Sequence, residues 1–215
     1  MSSVDWPDEL AAVLFLQGCP WRCAYCHNQH LLPAEGDSAL TWAEVADFLA
    51  SRVGLLDGVV FSGGEPLAQA AVAEAIAEAR SLGLRVALHT GGVMPERFAE
   101  LLPMLSWVGF DVKAPFGDYE RVTGVAGSGE RALESLRALV ASGVPFEART
   151  TVHADLLSAD DLRQMGAELA AEGVTVWILQ PFRTDGSPLE LPHSTIDFED
   201  LAEELRELVP GIAVR

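Results

Sequence analysis

Short apolar runs alternate with helical patterns along the whole chain, and this order leaves few folds open to it. The runs are rich in Val, Ile, Phe and Trp, and several are bounded by Gly or Pro, as is typical of β-strands. Six strands are predicted: Ala12–Gln17, Gly58–Ser62, Leu84–Leu88, Trp107–Lys113, Phe146–His153 and Val174–Gln180. Because a helical pattern follows each strand, the alternation predicts parallel βαβ units.

Six helices are predicted after these strands. Thr41-Trp-Ala-Glu44 reads as a capping box, Ser158-Ala-Asp-Asp161 opens another helix, and Asp197 caps the last one. The other three helices are predicted over Leu67–Ser81, Pro95–Met104 and Glu130–Ser142. A closed barrel needs eight βα units and about 250 residues. The candidates for this chain are therefore an open doubly wound sheet and a partial barrel, and with no linker visible we expect one domain over residues 1–215.

Charged residues on two of the predicted strands favour a curved sheet around a polar cavity. Side chains alternate between the two faces of a strand, so period two assigns each charge to a face. One face of the fifth strand carries Glu147, Arg149, Thr151 and His153, and one face of the fourth carries Gly109, Asp111 and Lys113. Parallel strands are normally apolar on both faces. The alternative is that these strand ends simply reach solvent.

The charge balance excludes two classes of partner. Fourteen Lys and Arg residues stand against 32 Asp and Glu residues, a formal net charge of −18. So acidic a surface repels phosphate backbones and anionic lipids, and we expect no nucleic-acid or membrane partner. The longest apolar run, Leu10–Leu16, is too short to span a bilayer, and the first ten residues lack the pattern of a signal peptide. A cytoplasmic protein is expected.

Three cysteines, Cys19, Cys23 and Cys26, lie within eight residues, directly after the first predicted strand. An odd and clustered set does not form a disulfide framework, and such thiols indicate metal ligands in a reducing compartment. Their spacing is C-x3-C-x2-C, and the chain has no fourth cysteine. An iron–sulfur cluster with one iron open to another ligand fits this set. The alternative is a structural Cys3His zinc site completed by His27 or His30.

Three further motifs follow the next three strands: Ser62-Gly63-Gly64-Glu65-Pro66, His89-Thr90-Gly91-Gly92 and Asp111-Val112-Lys113. The glycine pair allows close backbone approach to a ligand, although it also suits an ordinary tight turn. The carboxylate of Glu65 suits an ammonium group. Asp111 and Lys113 suit a zwitterion such as an amino acid, or they form a plain salt bridge. Carboxyl ends of parallel strands meet at one edge, so the four motifs are expected to converge on one site.

C-x3-C-x2-C with Tyr25 before its last cysteine resembles the motif of the radical S-adenosylmethionine superfamily. The match continues through Cys26-His27-Asn28, Ser62-Gly-Gly-Glu-Pro66 and Asp111-Val-Lys113 to Thr123-Gly124. Over residues 4–185 the chain is similar to glycyl-radical-enzyme activases. It is most similar to the short group named anaerobic ribonucleoside-triphosphate reductase activating proteins.

The resemblance implies a partial (β/α)6 barrel with helices outside and a [4Fe–4S] cluster held by the three cysteines. It further implies that the methionine part of S-adenosylmethionine chelates the open iron, and that one-electron cleavage yields a radical that takes a glycine hydrogen from a partner enzyme. The expected partners are a class III ribonucleotide reductase and a flavodoxin or ferredoxin-type reductant. Carried over to this chain, the cofactor contacts are Tyr25, His27, Gly63, Gly64, Glu65, Asp111 and Lys113.

One motif departs from the family pattern. Related activases often have Asp-Thr-Asn-Gly after the third strand, where the Asp helps to bind a monovalent cation, and here His89-Thr90-Gly91-Gly92 stands instead. No cation site is therefore predicted. Two other functions stay open: a radical enzyme acting on a small molecule, such as a deazapurine-forming synthase, and a zinc-stabilised binding module. The first of these predicts a plug over the open side of the barrel, for which Thr184–Glu199 is the candidate.

Overall fold

A computed structural model of the protein describes residues 1–36, 40–193 and 196–215. Within these residues seven parallel strands form one sheet, in which every strand is paired with the strands next to it in sequence, in the order β1 to β7. Each strand up to β6 is followed by helix, so the chain consists of six βα units with one added strand. Among the described residues, none of the helices combines the length and the apolar character that crossing a bilayer requires.

The helices and strands have the following bounds. The strands are β1 (Ala11–Leu16), β2 (Gly58–Gly63), β3 (Arg85–Thr90), β4 (Trp107–Asp111), β5 (Phe146–Val152), β6 (Val176–Pro181) and β7 (Gly211–Val214). The α-helices are α1 (Trp42–Ala50), α2 (Val72–Ser81), α3 (Pro95–Leu101), α4 (Tyr119–Thr123), α5 (Ser128–Ser142), α6 (Ala159–Ala171) and α7 (Phe198–Leu205).

The six predicted strands are confirmed to within two residues at each end. Among the helices, α3 ends at Leu101 rather than Met104 and α5 begins at Ser128 rather than Glu130, and there are three larger differences. β7 is a seventh strand, which the short run after Pro210 does not reveal. α2 begins at Val72 rather than Leu67, because residues 66–68 form a 3-10 turn behind Glu65. α4 is a single short helix that the sequence pattern misses.

Helix starts follow the predicted caps. The Thr41 hydroxyl accepts from the Glu44 amide while the Glu44 carboxylate accepts from the Thr41 amide, so α1 begins at a complete capping box. Ser158 and Asp161 form the same reciprocal pair at α6. Asp197 accepts from the first amides of α7. These caps satisfy amides that would otherwise lack partners at the helix starts.

The helices cover one face of the sheet, and the other face lines the interior of a partial barrel. Side chains from alternate strand positions, such as Phe61, Leu88 and Phe110, pack with the buried faces of the helices in the main core. The opposite positions form a separate small apolar cluster made of Trp6, Ala11, Val60, Ala87 and Trp107, with Val13 against it. The predicted curved parallel sheet with helices outside is therefore confirmed.

The N-terminal segment closes the end of the barrel interior at which the strands begin. Trp6 is only 4% exposed and stacks on Trp107 with ring centroids 6.3 Å apart. The guanidinium of Arg85 lies 5.0 Å from the centre of the Trp6 ring. A Cβ on Gly58 would come within 2.6 Å of the same ring, so glycine is needed at that position to admit the indole. Trp6 therefore fills the barrel interior at the opposite end from its polar residues.

Removal of the Trp6 side chain is expected to destabilise the fold. Truncating a buried Trp costs about 3–5 kcal/mol, because apolar burial is lost and a cavity remains. Trp6→Ala should lower the free energy of unfolding by that amount in urea titrations monitored by circular dichroism. Val4, 83% exposed, offers the matched control, and Val4→Ala should change the value by less than about 0.5 kcal/mol. A Trp6→Ala protein as stable as the control would show that packing of the Trp6 side chain does not stabilise the fold.

Candidate active site

One cavity at the carboxyl ends of the strands brings together all ten residues that the sequence analysis selects. They are Cys19, Cys23, Tyr25, Cys26, His27, Gly63, Gly64, Glu65, Asp111 and Lys113. The same cavity is lined by Trp21, Ser62, His89, Thr90, Gly91, Arg149 and Thr151, among others. The expected convergence of the four strand-end motifs is therefore seen in the structure.

The cysteine loop is held by backbone contacts with α4. The Arg22 amide donates to the Thr123 carbonyl at 2.8 Å, and the Ala24 amide donates to the Val122 carbonyl at 3.1 Å. Trp21 is 1% exposed and packs edge-on against Tyr119, with centroids 5.8 Å apart. The loop therefore has a defined path although it contains no regular secondary structure.

The three thiols are free, half-buried and on one loop, a donor set that fits an iron–sulfur cluster. Burial raises the pKa of Cys19 to about 11 and also raises the pKa of Cys23. Metal binding must therefore displace protons from these thiols. In the described ranges, no three His, Cys, Asp or Glu side chains are arranged to hold a single metal ion. A cluster of four irons spans a wider set of ligands than one ion does.

The zinc alternative needs a histidine beside the thiols, and the structure does not favour it. The Nε2 of His27 lies 2.7 Å from the Arg183 carbonyl oxygen, which only accepts hydrogen bonds, so this nitrogen carries a proton. His30 is exposed and lies outside the cavity lining. His30 is therefore not placed at the thiols, and His27 reaches the cavity with one ring nitrogen already bonded to Arg183.

The glycine pair after β2 brings the turn against the backbone of the cysteine loop. Gly63 has φ of +113°, and a Cβ there would lie 2.2 Å from the Leu16 nitrogen. A Cβ on Gly64 would lie 2.4 Å from the Gly18 carbonyl oxygen. The Glu65 amide donates to that same oxygen at 2.8 Å. Both glycines are therefore required for close packing of the turn on β1 and its loop.

The Glu65 carboxylate is 3% exposed and is held by donors from two elements. Its Oε1 accepts from the Thr90 hydroxyl at 2.7 Å and from the Leu67 amide at 3.1 Å, and its Oε2 accepts from the Gly91 amide at 3.0 Å. Burial raises the pKa of Glu65 to about 6, against the opposing effect of these hydrogen bonds. The carboxylate is thus oriented before any ligand binds.

Asp111 links two cations at the end of β4. Its Oδ1 accepts from Arg149 Nε at 3.0 Å and from Nη2 at 2.8 Å, and its Oδ2 lies 3.5 Å from Lys113 Nζ. Burial alone would raise the pKa of Asp111, but Arg149 and Lys113 lower it to about 2. Asp111 therefore stays ionised. The salt bridge that the sequence analysis left open is present, with Arg149 as its stronger member.

Lys113 reaches across the cavity towards the cysteine loop. Its ammonium lies 5.9 Å from the centre of the Tyr25 ring, and its backbone amide donates to the Tyr119 hydroxyl at 3.0 Å. Burial disfavours the ammonium, yet neighbouring groups, Tyr25 and Asp111 first among them, hold the pKa of Lys113 well above its usual value. Lys113 is therefore a permanent positive charge in the cavity.

The motif after β3, His89-Thr90-Gly91-Gly92, contributes the neutral side chain of His89 to the cavity. His89 Nε2 lies 2.7 Å from the Asp5 carbonyl oxygen, and its Nδ1 lies 3.3 Å from the Ser62 hydroxyl. The carbonyl requires a proton on Nε2, so Nδ1 accepts from Ser62. Burial, together with the nearby charge of Arg149, lowers the pKa of His89 to about 3. His89 thus supplies no negative charge to a cation.

His27 connects the cysteine loop to the end of β6. The His27 ring stacks on the Phe182 ring with centroids 5.4 Å apart. The His153 ring also contacts Phe182, edge-on, with centroids 4.7 Å apart. Tyr25 also lines the cavity and is 6% exposed. Two of the expected cofactor contacts, Tyr25 and His27, are therefore aromatic side chains at the cavity, and His27 packs on Phe182 just after β6.

Two contributors were missed or left without a role by the sequence analysis. Arg149 was placed on a polar strand face, but only the register, in which Asp111 pairs with Arg149, reveals its partner. Thr90 was quoted within a motif, and its bond to Glu65 requires the neighbouring strand. In both cases the available signal was the alternation of side chains along a strand. Alternation predicts which face of the sheet a side chain lies on, but it does not predict which residue of the next strand it contacts.

Comparison with known proteins places this site in a family. A model of the radical SAM superfamily matches residues 13–158. A Methanocaldococcus jannaschii protein named as a glycyl-radical enzyme activating enzyme is 31% identical over 77% of this chain and 70% of its own length. The pyruvate formate-lyase-activating enzyme of Clostridium pasteurianum is 29% identical over 96% of this chain and 91% of its own.

Other relatives have different names. A PqqA peptide cyclase from Gluconobacter oxydans is 33% identical over 74% of this chain and 46% of its own length. Among solved structures, Streptococcus suis SuiB bound to S-adenosylmethionine superposes with a TM-score of 0.77 at 13% identity. That match covers 96% of this chain and 50% of SuiB, so the chain spans about half of that protein.

The family model covers well over half of the chain, and the three cysteines and the seven expected cofactor contacts all line one cavity. The superfamily uses a [4Fe–4S] cluster and S-adenosylmethionine, and the three free thiols fit such a cluster. The chain belongs to the radical S-adenosylmethionine superfamily.

Proposed function

We propose that the protein is an activase that installs a glycyl radical on a partner enzyme, in particular a class III ribonucleotide reductase. The activases among its relatives support this function, since one of them matches the chain over nearly its whole length. The observation that carries the proposal is the pairing of three thiols with fixed, oppositely charged groups in one cavity. Three reduced thiols suit the cytoplasm.

In this proposal the cavity binds S-adenosylmethionine through its methionine part. Cys19, Cys23 and Cys26 hold the cluster. Glu65 accepts a hydrogen bond from the amino group of the ligand, while the tight Gly63-Gly64 turn keeps the carboxylate close to the cysteine loop. Lys113 binds the ligand carboxylate, and Arg149 supports it by holding Asp111. The chemistry supplied by the bound cluster is one-electron cleavage of the C5′–S bond.

The proposed reaction uses one electron and one hydrogen atom. A flavodoxin or ferredoxin-type protein would supply the electron, and cleavage of the C5′–S bond would give methionine and a 5′-deoxyadenosyl radical. That radical would take the Cα hydrogen atom of a glycine in the partner. The products are 5′-deoxyadenosine and a glycyl radical, and abstraction needs a near-contact distance of about 3–3.5 Å.

Replacing a cysteine tests the metal ligands. Cys19→Ala, Cys23→Ala and Cys26→Ala should each abolish S-adenosylmethionine cleavage, because the sequence has no other cysteine to replace a lost thiolate. The wild-type protein, reconstituted without oxygen, should contain about four irons and four sulfides. Iron analysis and 5′-deoxyadenosine formation by chromatography measure the two quantities. Full activity in one of the variants would exclude that cysteine as a ligand.

The pKa of Glu65, about 6, predicts pH-dependent binding of S-adenosylmethionine. The charged carboxylate accepts a hydrogen bond more strongly than the neutral acid, so affinity should rise as the pH increases through 6. Glu65→Gln should bind roughly tenfold or more weakly at neutral pH and lose this pH dependence. Equilibrium dialysis of the reconstituted protein measures both, with cluster absorbance as the control for cluster loss. An unchanged pH profile in Glu65→Gln would remove Glu65 from the ligand site.

The function itself is tested by electron paramagnetic resonance. Reduced protein, S-adenosylmethionine and a class III ribonucleotide reductase are incubated without oxygen. We expect a glycyl doublet that is lost when the reductase glycine is changed to alanine. A wild-type protein that cleaves S-adenosylmethionine but produces no such signal would contradict the activase proposal.

One observation favours a second candidate, a radical enzyme with a smaller substrate. Part of the tract Thr184–Glu199 lies against the cysteine loop, where a Cβ on Gly186 would come within 2.7 Å of the His27 carbonyl oxygen. The Glu190 carbonyl oxygen is 3.0 Å from His153 Nε2. Positions 194 and 195 lie outside the described residues. These two contacts support a tract that packs beside the cavity, and turnover of a small molecule without any glycyl signal would favour this candidate.

A further inference from the structure

We propose that the free edge of β1 binds an extended segment of the protein substrate as an added strand, with Phe15 as its side-chain contact. This inference rests on the proposed function, because it assigns the surface by which a protein substrate reaches the cavity. The added strand would form hydrogen bonds with the outward backbone groups of Val13 and Phe15.

The hydrogen bonds around β1 define which groups face outward. The carbonyl oxygens of Leu10 and Leu16 accept from residues that flank β2, so the even positions of β1 face that strand. Backbone groups alternate in direction along a strand, so Val13 and Phe15 face the other side. Within the described ranges, the only bridge on that side joins Ser2 to Ala11. The edge beyond Ala11 is therefore open.

Ser2 shows that this edge accepts a strand. Its amide donates to the Ala11 carbonyl at 2.8 Å, and its carbonyl accepts from the Ala11 amide at 2.9 Å, in antiparallel pairing. The N-terminal segment then turns under the barrel, where Trp6 is buried. Among the described residues this pairing stops one step before Val13, and none of them pairs with the outward groups of Val13 and Phe15.

Phe15 is an apolar side chain exposed beside a polar cavity. Its side chain shares the interior face of the sheet with Val13, yet it is 59% exposed. Phe15 is the register partner of Ser62, which lines the cavity. A segment paired with β1 would lie on this ring and run along the strand towards Cys19. The exposed edge therefore lies beside a strand whose end lines the cavity.

The composition of β1 supports a polypeptide as its occupant. Natural proteins protect exposed edges with charges, prolines or short strands. β1 is Ala-Ala-Val-Leu-Phe-Leu, with no charge and no proline, whereas the opposite edge strand, β7, has only four residues and is followed by the charged Arg215. The unprotected edge is the one beside the cavity. A backbone ladder recognises an extended chain of almost any sequence, which suits a substrate loop that must be inserted and released.

Proline at position 13 tests the edge directly. The Val13 amide makes no bond to β2, so Val13→Pro removes an outward donor and leaves the ladder with β2 intact. Val13→Ala is the matched control, since it shortens the same side chain and keeps the amide. With a class III ribonucleotide reductase as probe, Val13→Pro should lower the initial rate of glycyl radical formation about tenfold. S-Adenosylmethionine cleavage without the reductase should match the control.

Two further measurements keep the test decisive if Val13→Pro folds poorly. Phe15→Ala should raise the reductase concentration needed for half-maximal radical formation several-fold. Hydrogen exchange at the Val13 and Phe15 amides should slow when a synthetic peptide copying the glycine loop of the reductase is added to the wild-type protein.

The outcomes separate this inference from the proposed function. Equal radical formation in Val13→Pro and Val13→Ala overturns the inference alone, as does protection of the β1 amides that depends only on protein concentration and thus reports a second copy of the chain. A wild-type protein that cleaves S-adenosylmethionine but neither binds nor labels the reductase overturns the proposed function and the inference together.

Discussion

The contact between the β2 turn and the cysteine loop determines how the rest of the cavity is assembled. Gly64 donates to Leu16 and Glu65 donates to Gly18, each at 2.8 Å, so the turn lies directly on the backbone leading to Cys19. No side chain fits at Gly63 or Gly64 without displacing that backbone. These backbone contacts therefore fix the separation between the cysteine loop and the Glu65 carboxylate.

The charges of the cavity are balanced and immobilised. Glu65 and Asp111 are anions, Lys113 and Arg149 are cations, and His89 is neutral. Isolated charges in such a buried place would be costly, so each is held by a partner or by backbone amides. The cavity offers one acceptor, Glu65, and one cation, Lys113, beside the three thiols, and this pair complements an amino-acid zwitterion. Binding then requires little reorganisation.

The sequence predicted most of the fold because the strands are punctuated by glycine, proline and helix caps. It predicted the convergence of the site because parallel strands place their carboxyl ends together. Contacts that depend on register could not be predicted: Arg149 selects Asp111 because β4 and β5 pair at those residues. The contact between His27 and Arg183 joins residues that are 156 positions apart. β7 was missed because four residues carry too little periodicity.

The central claim is that this cavity holds the methionine part of S-adenosylmethionine beside a cluster bound by three thiolates. Electron–nuclear double resonance of the reduced, reconstituted protein tests it most directly, with ligand labelled by nitrogen-15 at the amino group. The account predicts a hyperfine coupling between the cluster and the labelled nitrogen. A reduced cluster that shows no coupling under saturating ligand would contradict it.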